Sequence, residues 1–112
     1  MMIMKDKNNT RKTKKPVYRQ LEEVIGCKWS VSVLKAVADN ITRPGKLERH
    51  IEGISKKVLS ERLRKLTDYG LLQKHAYAEV PPRTEYSLTE NGKKLISIIE
   101  QVKTLDMEIK NV

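Results

Sequence analysis

The hydrophobic period of this chain changes at Gly70, and that change restricts the folds open to it. Before it, Leu59, Leu63 and Leu66 fall at i, i+4 and i+7, the buried stripe of a helix. After it, Leu71 to Val80 mixes apolar and polar residues without helical spacing and reads as a strand. Thr84, Tyr86 and Leu88 alternate on a second strand. Between the two, Pro81-Pro82-Arg83 cannot continue a ladder, because proline donates no hydrogen bond. A helix therefore runs into a hairpin with a proline-stiffened tip. Thr89 then caps a last helix.

The stretches upstream of the Leu59 helix are also helical. Pro16 suits a helix start, since the N–H it lacks would be unpaired there. Val17, Leu21 and Val24 recur at helical spacing, with Tyr18 and Ile25 on the adjoining face and Gly26 at the end. Lys28 to Asp39 is apolar nearly all round, which predicts a central, buried helix. Residues 39–45 are rich in turn formers, and Leu47 and Ile51 predict a short helix over Pro44 to His50. Gly53 breaks that pattern, and Ser55 is a good N-cap for the helix that follows. Two helices joined by a short glycine-containing turn make a helix-turn-helix. The expected fold is mainly α with a small β-hairpin wing, a winged helix-turn-helix dimerising through its terminal helices.

A chain of 112 residues is the size of one domain. Residues 1–15 are polar and rich in Lys and Arg, and are expected to form a flexible basic arm ahead of a domain over 16–112. The formal net charge of +9 favours a polyanionic partner, nucleic acid or an anionic membrane surface. No apolar run approaches the roughly 20 residues of a membrane span. Met1-Met2-Ile3-Met4 is too short for the core of a secretory signal, so a cytoplasmic location without membrane contact is expected. The single cysteine, Cys27, cannot form an intramolecular disulfide.

The second helix of the motif directs the functional reading. Lys57, Glu61 and Arg64 point away from its leucine stripe, with Ser60 beside them and Ser55 and Lys56 at the start. A helix N-terminus offers unpaired N–H groups and partial positive charge to a phosphate. Arg64 is placed to donate two hydrogen bonds to a guanine edge, a contact that discriminates bases by about 1–3 kcal/mol. Arg83 at the hairpin tip is expected at the minor groove or a phosphate, and Arg43 joins the DNA-facing set. A solvated basic face on an ordinary amphipathic helix is the plainer alternative. In the last helix Leu95, Ile98, Val102, Leu105 and Ile109 are spaced 3, 4, 3 and 4, a two-heptad seam. Such a seam packs either on its own domain or on a second copy. The dimer is favoured, with Val17, Tyr18 and Leu21 of the first helix contributing.

Three ordered blocks resemble the HxlR-type family of bacterial and archaeal regulators. Gly26-Cys27-Lys28-Trp29 is similar to that family's Gly-Gly-Lys-Trp motif. Residues 53–63, GISKKVLSERL, resemble its helix-turn-helix, and residues 80–92, VPPRTEYSLTENG, its wing and next helix start. The resemblance spans about residues 16–105. It implies a winged-helix dimer built largely from the N- and C-terminal helices. It also implies an inverted-repeat operator with one recognition helix per half-site. Some members sense oxidants or electrophiles through a cysteine just before the proline of the first helix. This chain departs from that pattern, with Lys15 at the position and Cys27 inside the Lys-Trp block, where a cysteine is more often a small apolar packer. It departs again at Pro44, which follows Arg43 where the family has an aromatic residue.

Other function classes fare less well. Cys27, His50 and His75 show no spacing that argues for a catalytic or metal-binding convergence. No glycine-rich phosphate loop precedes a helix. No enzyme activity, metal or cofactor is expected. Two binding alternatives stay open. One is a winged-helix module that docks a protein, which would present apolar anchors rather than Lys57, Ser60, Glu61 and Arg64. The other is non-specific architectural DNA binding, which Glu61 opposes mildly. No polar constellation names a small-molecule effector.

Overall fold

A computed structural model describes residues 15–111. The expected basic arm lies outside them except for Lys15. The elements run α1 (Val17–Ile25), α2 (Lys28–Ala38), α3 (Pro44–His50), α4 (Lys56–Asp68), β1 (Leu72–Tyr77), β2 (Arg83–Leu88) and α5 (Glu90–Lys110). This is a mainly helical winged helix-turn-helix with, among the described residues, one antiparallel hairpin. The register pairs Leu72 with Leu88 at the base and Tyr77 with Arg83 at the far end.

The helix that is apolar nearly all round is the centre. Val33 and Leu34 of α2 are fully buried, and Leu47, Leu59, Leu63, Leu66, Leu72, Tyr86 and Ile99 close around them. Fully burying such side chains stabilises the fold by about 1.5–3 kcal/mol each. Gln20 is buried as well, and its Nε2 donates to the Lys15 carbonyl at 2.8 Å. Ser55 accepts from Val58 N at 3.1 Å, the cap its position predicts. Gly70, at φ +77°, ends the long helix in the left-handed region that favours glycine.

A junction after α4 sets the remaining elements. Thr89 Oγ1 donates to the Gly70 carbonyl at 2.6 Å and accepts from Gly92 N at 3.0 Å. Thr89 N donates to the Leu71 carbonyl at 3.1 Å. The first turn of α5 thus rests on the end of α4 and the start of β1. Only a glycine fits at 92, because a Cβ there would stand 2.2 Å from the Leu71 carbonyl oxygen.

Three expectations need correction. The first strand stops at Tyr77 rather than Val80, because residues 78–82 form the exposed turn. Arg83 begins β2 opposite Tyr77 and is not at the tip. Leu95 is not a seam residue but belongs to the chain's own core, 3% exposed, because α5 packs through Leu95 and Ile99 before running past the domain.

Glu23 of α1 binds the end of α4. Lys15, Lys65 and Tyr69 all donate to its carboxylate, Tyr69 at 2.8 Å. The hydrogen bonds from Lys15 and Lys65 hold its pKa at about 2, against an ordinary 4.5. The carboxylate's stabilising effect is therefore present above about pH 4.5 and is lost as pH falls toward 2. We expect Glu23→Gln to lower stability at neutral pH by on the order of 1–2 kcal/mol. The difference from the parent should shrink between pH 4.5 and 2 in denaturant titrations. A constant difference across that range would exclude the ion pairs as its source. Gly92→Ala should destabilise by about 1–3 kcal/mol or more, seen as a lowered melting temperature, since backbone stands in the way.

Candidate nucleic-acid interface

The face of α4 opposite its leucine stripe is open to solvent. Lys56, Lys57, Ser60 and Arg64 are exposed on it, and Glu61 is half-buried at its flank. Among the described residues, no carboxylate forms an ion pair with Lys56, Lys57 or Arg64. Ser55 is also exposed, but its hydroxyl is engaged by Val58 N. Its part at this face is to start the helix. The turn between α3 and α4 is tight, with Gly53 at φ +86° beside the Trp29 ring. Trp29 of the Lys-Trp block thereby buttresses the turn from α2.

The other two expected contacts lie together, on either side of one carboxylate. Arg43, just before α3, donates through Nε to Glu85 Oε2 at 3.4 Å. Arg83 Nε lies 3.3 Å from the same oxygen, out of hydrogen-bond alignment, and its Nη2 lies 3.2 Å from Glu79 Oε2. The Arg83 guanidinium also stacks 4.1 Å from the centre of the Tyr77 ring. A backbone hydrogen bond from Tyr86 N to the Thr42 carbonyl, 2.9 Å, ties β2 to the segment before α3. Two arginines distant in sequence thus share one carboxylate at the wing.

Sequence reasoning missed Glu85, Glu79 and Tyr77. Glu85 stands two residues from Arg83 on a strand, hence on the same face, and that spacing is a usable signal. Its approach to Arg43, 42 residues away, has no local signal.

The exposed apolar residues form a second surface. Val17, Tyr18 and Ile25 of α1 and Ile98, Val102, Leu105, Met107 and Ile109 of α5 are all exposed. Leu21 is half-buried against the core. A groove of about 250 Å³ between α1 and α5 is lined by Val17, Leu21, Leu71, Leu95 and Ile98, with Gln20 and Lys94 at its polar side.

Cys27 is half-buried just before α2. Burial pushes its thiol up, but hydrogen bonds from Ser30 and Trp29 and the charge of Arg62 outweigh this and leave it below its ordinary value. His50 ends α3, and His75 Nε2 lies 3.4 Å from Ser87 Oγ across the hairpin.

Comparison with known proteins agrees with this architecture. The sequence pattern of the HxlR-like helix-turn-helix family matches residues 24–111. A relative from Methanothermobacter thermautotrophicus, described as an uncharacterized HTH-type transcriptional regulator, is 42% identical over 76 residues. That match covers 68% of this chain and 58% of the relative, so the chain spans little more than half of it. YkvN of Bacillus subtilis, described in the same terms, is 40% identical over 81 residues, covering 72% of this chain and 69% of YkvN. Among solved structures, the redox regulator HypR in its oxidized form superposes with a TM-score of 0.70 at 34% identity, covering 84% of this chain and 96% of that one. A structure from Enterococcus faecalis V583, assigned to the MarR family of regulators, gives 0.73 at 28% identity, covering 94% and 99%. With its fold, its helix-turn-helix and nearly all of its described length accounted for, this chain belongs to the HxlR-like helix-turn-helix family.

Proposed function

We propose that the chain is a sequence-specific DNA-binding transcriptional regulator that acts as a cytoplasmic homodimer on an inverted-repeat operator. The observation that carries this reading is the exposed face of α4, where Lys56, Lys57 and Arg64 have no ion-pair partner among the described residues. Cations left unpaired on a helix-turn-helix are suited to phosphates and base edges. Family membership supports the same reading, since the relatives described above are named transcriptional regulators. In this arrangement α4 lies in the major groove, and the far part of the wing, through Arg83 with Arg43 beside it, meets the backbone or the minor groove.

The homodimer is argued from α5. Its second half runs past the core, where Val102, Leu105 and Ile109 follow heptad spacing and stand exposed. Val17 and Tyr18 of α1 extend the same kind of surface. Apolar side chains repeated along an exposed helix favour association, since burying each removes it from water. The seam is shorter than expected, starting at Ile98 rather than Leu95.

Selection of binders from a random duplex pool at physiological salt tests the function. An enriched inverted repeat, with half-site centres about 34 Å or a multiple apart, is the expected result. Binding without enrichment that fades with salt would replace it with architectural binding. No binding would replace it with protein docking. On the selected operator, Arg64→Ala should relax preference at one position by about 1–3 kcal/mol. Arg83→Ala should weaken all sequences alike. Sedimentation should show Ile98→Asp and Leu105→Asp as monomers, because each places a charge in the seam. Leu105 is 53% exposed and outside the core, so its variant retains the fold. Dimers in both would move the interface elsewhere.

A further inference from the structure

The arginines at the wing, unlike those of α4, are engaged by carboxylates, and the two carboxylates differ in what they hold. Glu85 Oε2 meets Arg43 Nε at 3.4 Å and Arg83 Nε at 3.3 Å, and so joins the segment before α3 to β2. Its side chain is 27% exposed. Glu79, on the turn side of the hairpin, is 47% exposed and, among the described residues, meets Arg83 alone, at 3.2 Å. Two guanidinium groups and two carboxylates sum to no net charge, so this part of the surface attracts DNA weakly while all four remain paired.

Exposed ion pairs contribute little to stability, and a phosphodiester replaces such a carboxylate with little penalty. A carboxylate that bridges two cations from different elements is harder to displace, because both interactions must break together. The Nε hydrogen bond of Arg43 to Glu85 orients its guanidinium without using the outer amino groups, which remain for a phosphate, whereas Arg83 is held beside the same oxygen by charge, with its Nη2 facing Glu79. The Tyr77 ring fixes the plane of Arg83 from the other side.

We propose that Glu85 is a positioning residue that holds Arg43 and Arg83 as one fork for DNA phosphate, and that Glu79 masks Arg83 until phosphate displaces it. The proposal rests on the DNA-binding reading above. It separates two residues of identical charge. Long-range electrostatics alone makes Glu79→Gln and Glu85→Gln equally favourable for DNA, since each removes one negative charge. Positioning and masking give opposite signs.

The test is fluorescence anisotropy of a labelled duplex of fixed arbitrary sequence, titrated with the full chain from low to physiological salt. Binding to phosphate does not depend on sequence, so no operator is needed. Glu79→Gln should bind roughly threefold to fivefold tighter. That gain should vanish when Arg83→Gln is also present. Glu85→Gln should bind roughly tenfold weaker, and its salt slope should flatten by about 0.9 for each phosphate it no longer neutralises. Circular dichroism melting of each variant separates loss of the fork from loss of the fold. Should Glu85→Gln melt early, Glu85→Asp, which keeps the charge, takes its place and should bind at least threefold tighter than Glu85→Gln at matched folded fraction. Tighter binding by folded Glu85→Gln would overturn the positioning role. A Glu79→Gln gain that survives Arg83→Gln would overturn the masking role. Failure of the parent to bind any duplex at low salt would instead overturn the DNA-binding reading, and the fork with it.

Discussion

The close approach of α5 to the first strand governs the layout of this protein. Gly92 has no side chain, and its backbone therefore rests against the Leu71 carbonyl, while Thr89 bonds both to Gly70 and to Gly92. Three elements depart from that point. The α4 helix ends there, the hairpin begins and closes there, and α5 starts there. The orientation of the exposed α4 face relative to the wing and to the apolar half of α5 is thus fixed by a few backbone contacts. Packing of α2 behind them supplies most of the stabilisation, but it leaves those directions undetermined, because apolar contacts are not directional.

Ion pairs supply the direction that the core lacks. Glu23 links α1 to the last turn of α4, and Glu85 links the segment before α3 to the wing. Each joins residues about 42 positions apart. Both are partly exposed, and so contribute more to geometry than to stability. Among the described residues, Lys56, Lys57 and Arg64 of α4 stay out of such pairs, and the acidic partners lie around the edges of the helix-turn-helix.

Much of this is legible in the sequence. The leucine stripe, the cap at Ser55, the glycine stop at Gly70 and the alternation on β2 follow local rules, and the elements lie where those rules put them. The heptad spacing of α5 correctly implies a helix but misassigns Leu95. Spacing defines a stripe along a helix without saying where the domain beneath it ends. Arg83 falls outside the expected tip because the prolines mark only the second part of the turn, which begins at Ala78. The shared carboxylate between Arg43 and Arg83 is tertiary, and no local pattern encodes it.

The two-stranded wing behaves mechanically as a cantilever. It is clamped at its base by the Tyr86 N to Thr42 bond and by the buried Leu72, and its far end stands in solvent. From Tyr86 to Pro82 the lever arm is four residues, roughly 13 Å at about 3.3 Å per residue. A rotation of a few degrees at the clamp becomes about an ångström of travel at the tip over that length. Stiffness in this protein is therefore concentrated at the base of the wing, and compliance at its end.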